Sequence, residues 1–574
     1  MTLEVSSKWH VGVAVGIIVG SLLGFIDTYG YAVTGYTTSE LAPIISAILT
    51  LALLTLILKR PPTIIEHLIS IVAATGISLS TAITSGMYIT YTMLNYIGGE
   101  YLNLPEWLYF KGAFLNGTTF TFYSYATAVS ASGIFLAYVF HKHFIEKERL
   151  PYPIGLACSM IVSMGKYLGK PRITLPIILG ILLQLSVLQV GYMGIDLTSP
   201  LQQVIPGSSI ALTLDFFILF LALLIPLNTS VGIGIGNLIM YLVLTPLLTY
   251  LGLMYVAPFM KSPDIVLEAA PYTASIMVGF LIVTIIYYFI SARMSFILTF
   301  KLILKDKALL KRAILSLTLL ISLVIPLWIL TKPSTKLLAF LPLYFILHIM
   351  LALLTIRVVG ETGTASQSTL PLATFSLFSL KVRNALTYVL LDPYTGVPMP
   401  QFMAGASMNI FKSARKLGLD ADIVLPILAL SILIGAPLTL IYGHYLLLAY
   451  GLNSPKLNLL RWVPVVTWMN IIYRGDVSAF NITSIIIGAV LAFTLILLLR
   501  ITRLGGISIY SILLGLTLTP DIGVIFLIAS LIKYVALRIG FDVYESLLTY
   551  SSLMLAGCGI GVIVSTITSL VGVT

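Results

Sequence analysis

The chain has 574 residues, of which 59% are hydrophobic and 9% charged, and its mean hydropathy is +1.05. That balance excludes a disordered chain or an ordinary soluble domain. Only helices satisfy their own backbone polar groups in lipid over apolar runs of this length, so the expected fold class is an all-α polytopic membrane protein. The formal net charge of +11 would suggest nucleic acid in a soluble protein; in so apolar a chain it reads as the cytoplasmic excess of Lys and Arg that orients membrane helices, and no nucleic-acid partner is expected.

Taken in chain order, runs of about 20 apolar residues fall at 11–32, 41–58, 63–94, 119–141, 172–192, 209–228, 231–252, 270–299, 313–331, 337–357, 422–450, 481–499 and 548–572. The first lacks a small-residue cleavage site and reads as a span rather than a signal peptide. Loops are expected near 95–117 and 451–477, too short for a soluble domain, with Trp462 and Trp468 of the second fitting an interfacial belt. Cys158 and Cys558 lie inside apolar runs and read as small packing residues. Shorter pieces remain at 153–165, 361–380 and 399–411, with a bent pair at 506–519 and 521–540. One domain, 1–574, is expected; a short piece after a long helix in each part suggests halves at 1–260 and 261–574.

Charge orients these pieces. If those at 153, 361 and 399 return to the side they entered from, and the bent pair forms a hairpin, most of the 32 basic residues collect on one side. They include Lys59, Arg60, Lys142, Lys147, Arg149, Lys166, Lys170 and Arg172, the cluster Lys301 to Arg312, and Lys412, Arg415 and Lys416. That side is read as cytoplasmic, with the N-terminus on it and the chain in the plasma membrane. A full crossing at 153–165 would reverse the bias of every later loop.

The piece at 153–165 begins Arg149-Leu-Pro-Tyr-Pro-Ile-Gly. Pro151 and Pro153 disfavour helix before Pro153, which itself suits the first helical position, and Gly155 and Ala157 keep the start of the helix slender. A short helix entering from the midplane would turn free N–H groups toward a carboxylate. The competing reading is an amphipathic connector lying at the interface.

These residues resemble the Leu-x-(Tyr/Phe)-Pro-Ser-Gly-x-Ala-x-Ala block of the oligopeptide transporter superfamily, which includes the yellow stripe-like metal-chelate carriers. Pro153, Gly155 and Ala157 match, whereas Ile154 and Ser159 depart. The run Ser130 to Lys142 is similar to the helix before that block. Asp215 to Leu248, with Pro226, Asn228 and Gly232, Gly234 and Gly236, resembles the family's pair of helices around an interrupted polar turn. Arg357-Val-Val-Gly-Glu-Thr-Gly-Thr-Ala-Ser-Gln-Ser368 is similar to a Val-Gly-x-x-Gly-x-Ser segment, and Leu513 to Pro520 with Leu553 to Gly559 resemble the closing helices. The Asn-Pro-Gly and Lys-Ile-Pro-Pro-Arg motifs of the eukaryotic peptide branch are absent, and the later Asp-(Phe/Leu)-Lys-Thr-Gly survives at best as Phe411-Lys412-Ser413. The resemblance implies a divergent prokaryotic branch with about sixteen helices, some re-entrant or broken, and proton-coupled import of short peptides or metal chelates.

Ionisable residues inside spans are costly and mark function. Glu361, between Gly360 and Gly363 in a Ser/Thr-rich stretch with Thr364 and Ser366, is the leading candidate for proton coupling or for a substrate amine; the alternative is a pair with Arg357, which could itself hold a substrate carboxylate. Asp215 is a second proton-linked candidate. Glu66 and His67 suit a solvated or capping role, and His348 a hydrogen-bonded structural one. Ser78, Thr81 and Ser85 share one face, which lines protein or water. Asn228 and the other amides can bond a peptide-like solute or join helices, and the Gly232 to Gly236 series lacks the context of a nucleotide loop and reads as close packing.

Two function classes follow. The first is a secondary transporter taking a short peptide or metal chelate together with protons, in a lipid bilayer, with homo-oligomer formation left open. The second is an intramembrane enzyme, which would need a carboxylate pair, His cluster or Ser/His dyad that the sequence does not display; a passive channel is a third option. No cofactor, metal site or enzymatic activity is expected.

Overall fold

A computed structural model describes residues 8–34, 39–98, 102–165, 170–190, 194–257, 259–364, 367–454, 457, 459–502 and 506–571. Among them are 13 helical stretches long and apolar enough to cross a membrane. The chain forms two compact units that alternate along the sequence: Met1–Tyr167, Ala292–Gly360 and Ala373–Ala479 in one, Leu168–Ser291, Glu361–Leu372 and Phe480–Thr574 in the other. This partition cuts across a division at residue 260.

The first unit begins with α1 (Trp9–Thr34), α2 (Ala42–Leu58), α3 (Ile64–Ile83), α4 (Ser85–Gly98), α5 (Gly117–Ser130), α6 (Ser132–Lys142) and α7 (Pro153–Met164). The second opens with α8 (Pro171–Val190), strand β1 (Gly194–Asp196), α9 (Thr198–Gln202), β2 (Ala211–Thr213), α10 (Phe216–Leu224), α11 (Leu227–Ile239), α12 (Thr245–Tyr250) and α13 (Ser262–Ser291). The first unit resumes with α14 (Arg293–Lys305), α15 (Lys307–Ile321), α16 (Val324–Thr331), α17 (Thr335–Thr362, its last two residues in the second unit), α18 (Pro371–Ser379), α19 (Ala385–Leu391), α20 (Pro400–Lys416), α21 (Ala421–Tyr450) and α22 (Leu459–Arg474). The second closes with α23 (Ile482–Ile501), α24 (Ile509–Gly515), α25 (Pro520–Ile539) and α26 (Phe541–Val571).

In the first unit α3 is the axis, buried on all sides. It starts with a capping box in which Thr63 and Glu66 satisfy each other's backbone amides. Small residues then bring both neighbours close: a Cβ on Gly12 or Gly16 of α1 would stand 2.6 or 2.4 Å from the carbonyl oxygens of Glu66 or Ser70. On the side facing α21, Gly76 and Gly435 do the same, and Ser80 and Thr439 are joined at 3.2 Å. Ser80 is thus tied across to α21, whereas the hydroxyls of Ser70, Thr75 and Thr81 are buried without a hydrogen-bond partner among the described residues.

The second unit is built on three crossings of one kind. Gly180 of α8 and Gly557 of α26 lie against each other's helix, with Cβ positions 2.3 Å from Met554 O and 2.2 Å from Ile177 O. Gly279 of α13 and Gly488 of α23 repeat this at 1.8 Å from Ile485 O and 2.0 Å from Ile276 O. Gly236 of α11 and Gly515 of α24 repeat it at 2.3 Å from Ile512 O and 2.0 Å from Ile233 O. Each glycine meets the carbonyl three residues before its opposite glycine, so every crossing reads apolar-x-x-Gly on both helices. This accounts for the Gly232 to Gly236 series as close packing.

Several expected boundaries move. Residues 209–228 are not a span: β1 and β2 pair antiparallel, and the nine-residue α10 follows. The piece at 521–540 is a 20-residue helix, long enough to cross alone, preceded by the seven-residue α24. The expected loop at 451–477 contains α22, and its Trp462 is 1% exposed with its indole donating to Ala32 O at 3.0 Å, so it is a packing residue and not part of an exposed belt. Residues 361–362 end α17 instead of opening a separate short piece.

Candidate functional site

In the first unit the Pro-Tyr-Pro segment is held from two sides. Tyr152 takes a left-handed conformation, φ 48°, just ahead of Pro153 at the first position of α7. Its amide donates to Gly360 O of α17 at 2.8 Å. A Cβ on Gly360 would stand 2.5 Å from Leu150 Cδ1 and 2.9 Å from Leu150 Cβ, so any larger residue here would displace the Leu150 side chain. From α20, Lys412 donates to Leu150 O at 2.8 Å, Ser413 donates to Gly155 O at 2.7 Å, and Asn409 Oδ1 accepts from Gly155 N at 3.2 Å. Ala157 is buried one turn on. The expected free N–H groups of α7 are thus partly occupied by Asn409, and the burial of most of the helix fits poorly with a connector lying at an interface.

Beside this segment Glu148 accepts from His143 at 3.0 Å and pairs with Arg357 Nη1. Burial alone would raise the Glu148 carboxyl, but the hydrogen bond from His143 and the Arg357 charge carry it below the ordinary range. Arg357 is therefore engaged by a residue far away in sequence.

A second polar focus lies in the irregular linker between α19 and α20. Asp392 is completely buried. Its carboxyl receives Thr374 Oγ1 at 2.9 and 3.0 Å, Thr395 Oγ1 at 2.6 Å, and the amides of Tyr394 and Thr395 at 3.3 and 3.2 Å. Tyr91 of α4 and Tyr473 of α22 both donate to Thr395 O, at 2.7 and 2.9 Å, and Tyr344 of α17 donates to Leu391 O at 3.3 Å. One turn further along α17, His348 accepts from Gln401 of α20 at 2.8 Å. His348 Nε2 and Gln401 Oε1 have no hydrogen-bond partner among the described residues. Burial pushes the Asp392 carboxyl up to about 6, against the opposing pull of the Thr395 and Thr374 hydrogen bonds. Both hydroxyls can rotate to donate or accept, so the pocket suits the carboxylate and the carboxylic acid alike. Four tyrosines around it (Tyr91, Tyr344, Tyr388 and Tyr473) are almost fully buried.

Other expected residues lie apart from this focus. Ser78, Thr81 and Ser85 are buried in and just after α3, with Ser85 bonded to Thr28 of α1 at 2.9 Å. Glu66 is buried in its capping box with Arg60 at 2.7 Å, and so caps but is not solvated. In the second unit Asp215 is the N-cap of α10, accepting from Ile218 N at 3.0 Å, and not a mid-span carboxylate; burial pushes it up. Asn228 sits in the first turn of α11 opposite Gly506. Glu361 is buried in the last turn of the 28-residue α17, Thr364 follows half-buried after Gly363 at φ +86°, and Ser366 lies outside the described residues. Asp392 itself escaped the sequence reading. Its signal is Asp-Pro-Tyr-Thr-Gly, a turn sequence set between two apolar helices.

No family model matches the chain, and no curated protein matches it by sequence. Fold and composition define it as an all-α, multi-pass membrane protein.

Proposed function

We propose that the chain is a proton-coupled secondary transporter of the oligopeptide transporter type, importing short peptides or related metal-chelate solutes across the plasma membrane by alternating access. The observation that carries this reading is Asp392. A carboxyl sealed among tyrosines, in non-helical backbone, with hydroxyls able to serve either protonation state, can gain or lose a proton without leaving a group unpaired. Glu361 and Asp215 are further carboxyls through which protons could pass.

The three glycine crossings support alternating access by duplicated parts. If α8, α11 and α13 correspond to α23, α24 and α26, the α8–α26 crossing exchanges with α13–α23, and α11–α24 maps onto itself. The intervals Gly236 to Gly515 and Gly279 to Gly557 are nearly equal. The longer interval from Gly180 to Gly488 reflects the β1–β2 hairpin, for which the later part has no counterpart among the described residues.

The test is uptake of short peptides and ferric chelates into proteoliposomes with and without an inward proton gradient. Gradient-driven accumulation is expected, lost in Asp392→Asn while solute exchange without a gradient continues. Uptake indifferent to the gradient, or unchanged in Asp392→Asn, would overturn the reading.

A further inference from the structure

Lys533 has no place in that mechanism. It lies in α25, a helix long enough to span, and its side chain is completely buried. A buried ammonium is costly unless something compensates it, and the usual compensation is a carboxylate. Among the described residues Lys533 forms no ion pair. Its Nζ donates to Ala222 O at 2.8 Å, Ile225 O at 2.6 Å and Ser230 Oγ at 2.6 Å.

The three acceptors share an origin. α10 stops after nine residues, Ile225 turns extended with φ −73° and ψ 142°, and Pro226 starts α11 without an N–H to offer. The last carbonyls of α10 are left without helical partners, and that end of the helix carries partial negative charge. Ser230, in the first turn of α11, reaches back and donates to Ala222 O at 3.1 Å, so its oxygen lone pairs face Lys533. The result is a cradle of two backbone carbonyls and one hydroxyl, all neutral and hard. Broken membrane helices use this type of donor set, at the C-terminal end of a half-helix, to hold a monovalent cation.

We propose that the α10–α11 break is a binding site for a monovalent cation of ammonium size, filled in this chain by the tethered ammonium of Lys533. The lysine supplies the bound ion, so the native protein needs no free cation here. Removing the lysine side chain returns the site to solution cations. This inference concerns the second unit alone and stands whether or not the chain transports peptides.

The experiment is thermal unfolding of detergent-solubilised protein in chloride salts of K+, NH4+, Na+ and the bulky N-methylglucamine cation at constant ionic strength. Lys533→Ala is expected to melt lower than wild type in N-methylglucamine and to regain about 3 °C or more, saturably, with K+ or NH4+, with Na+ less effective. Wild type should not distinguish the four salts. A well-folded Lys533→Ala that is equally stable in all four overturns the proposal, as does one rescued equally by N-methylglucamine, because a lysine that only capped α10 would leave no size-selective site. Should Lys533→Ala fail to fold, Lys533→Met is decisive. It fills the space with no charge and takes the Nζ donor away from all three oxygens, leaving Ala222 O only its bond from Ser230, so its midpoint must fall in every salt, and a midpoint equal to that of wild type overturns the proposal.

Discussion

Exchanging Asp392 for asparagine isolates the carboxyl that carries the functional reading. The folded protein holds this group at about 6, whereas an unfolded Asp titrates near 3.9. A raised carboxyl favours the folded state while it is protonated, so that contribution is complete below about pH 4 and is lost as pH rises through about 6. Two pH units correspond to about 3 kcal/mol, worth roughly 2–3 °C in a protein of this size. Asparagine has no such titration, but whichever oxygen its NH2 replaces, that NH2 faces a backbone N–H, of Tyr394 or of Thr395, a fixed cost of about 1–3 kcal/mol. Asp392→Asn should therefore be clearly less stable than wild type at pH 4.5, and the gap should close or invert by pH 7.5. Melting curves of both proteins across that range, read as the difference between them, cancel every other titrating group. A gap that stays constant with pH would refute the account of Asp392 as a proton-binding group.

The glycine crossings make a sharper structural claim. In Gly279→Ala the new methyl starts 1.8 Å from Ile485 O, so α13 and α23 must part by about 1.5 Å to reach ordinary contact; a loss of about 2–3 kcal/mol is expected in thermal melts. Gly30→Ala, where nothing lies within 4 Å, should be neutral or gain about 0.5 kcal/mol, and equal behaviour of the two variants contradicts the crossing. Asn237→Ala removes the amide that donates to Leu518 O at 2.7 Å and Thr519 O at 3.1 Å in the break before α25; it should cost about 1–3 kcal/mol and speed hydrogen exchange around residues 516–519. Glu148→Gln should destabilise by a similar amount, and a double-mutant cycle with Arg357→Ala that returns additive effects would remove the proposed coupling.

Most spans were legible because a lipid-crossing helix announces itself through length and apolar content alone, and α1, α2, α8, α17 and α21 fall close to their expected limits. Pro153 likewise marked the start of α7. The misreadings share a cause, which is that an apolar window does not record where backbone bonds go. Residues 209–228 pass the hydropathy test although Pro226 and the hairpin divide them. Trp462 has the composition of an interfacial residue, but the Ala32 carbonyl takes its indole N–H inside the protein. Glu361 and the Pro-Tyr-Pro segment drew attention by breaking the apolar pattern. Asp392 drew none, because Asp-Pro-x-x-Gly is also ordinary turn chemistry; only the tyrosines arriving from α4, α17 and α22 distinguish it from a surface bend. Lys533 reads as one charge in a long helix, and its partners lie some three hundred residues earlier.

The alternation of the two units along the chain has a consequence for biosynthesis. α8 leaves the ribosome early, yet the helix whose Met554 and Gly557 it must clasp is made nearly four hundred residues later. At roughly 5–20 residues per second, Gly180 faces lipid or a chaperone for about twenty seconds to more than a minute before its mate exists. A nonsense mutation just ahead of α26 would strand α8 permanently, so quality control can judge the second unit only after α26 has been inserted.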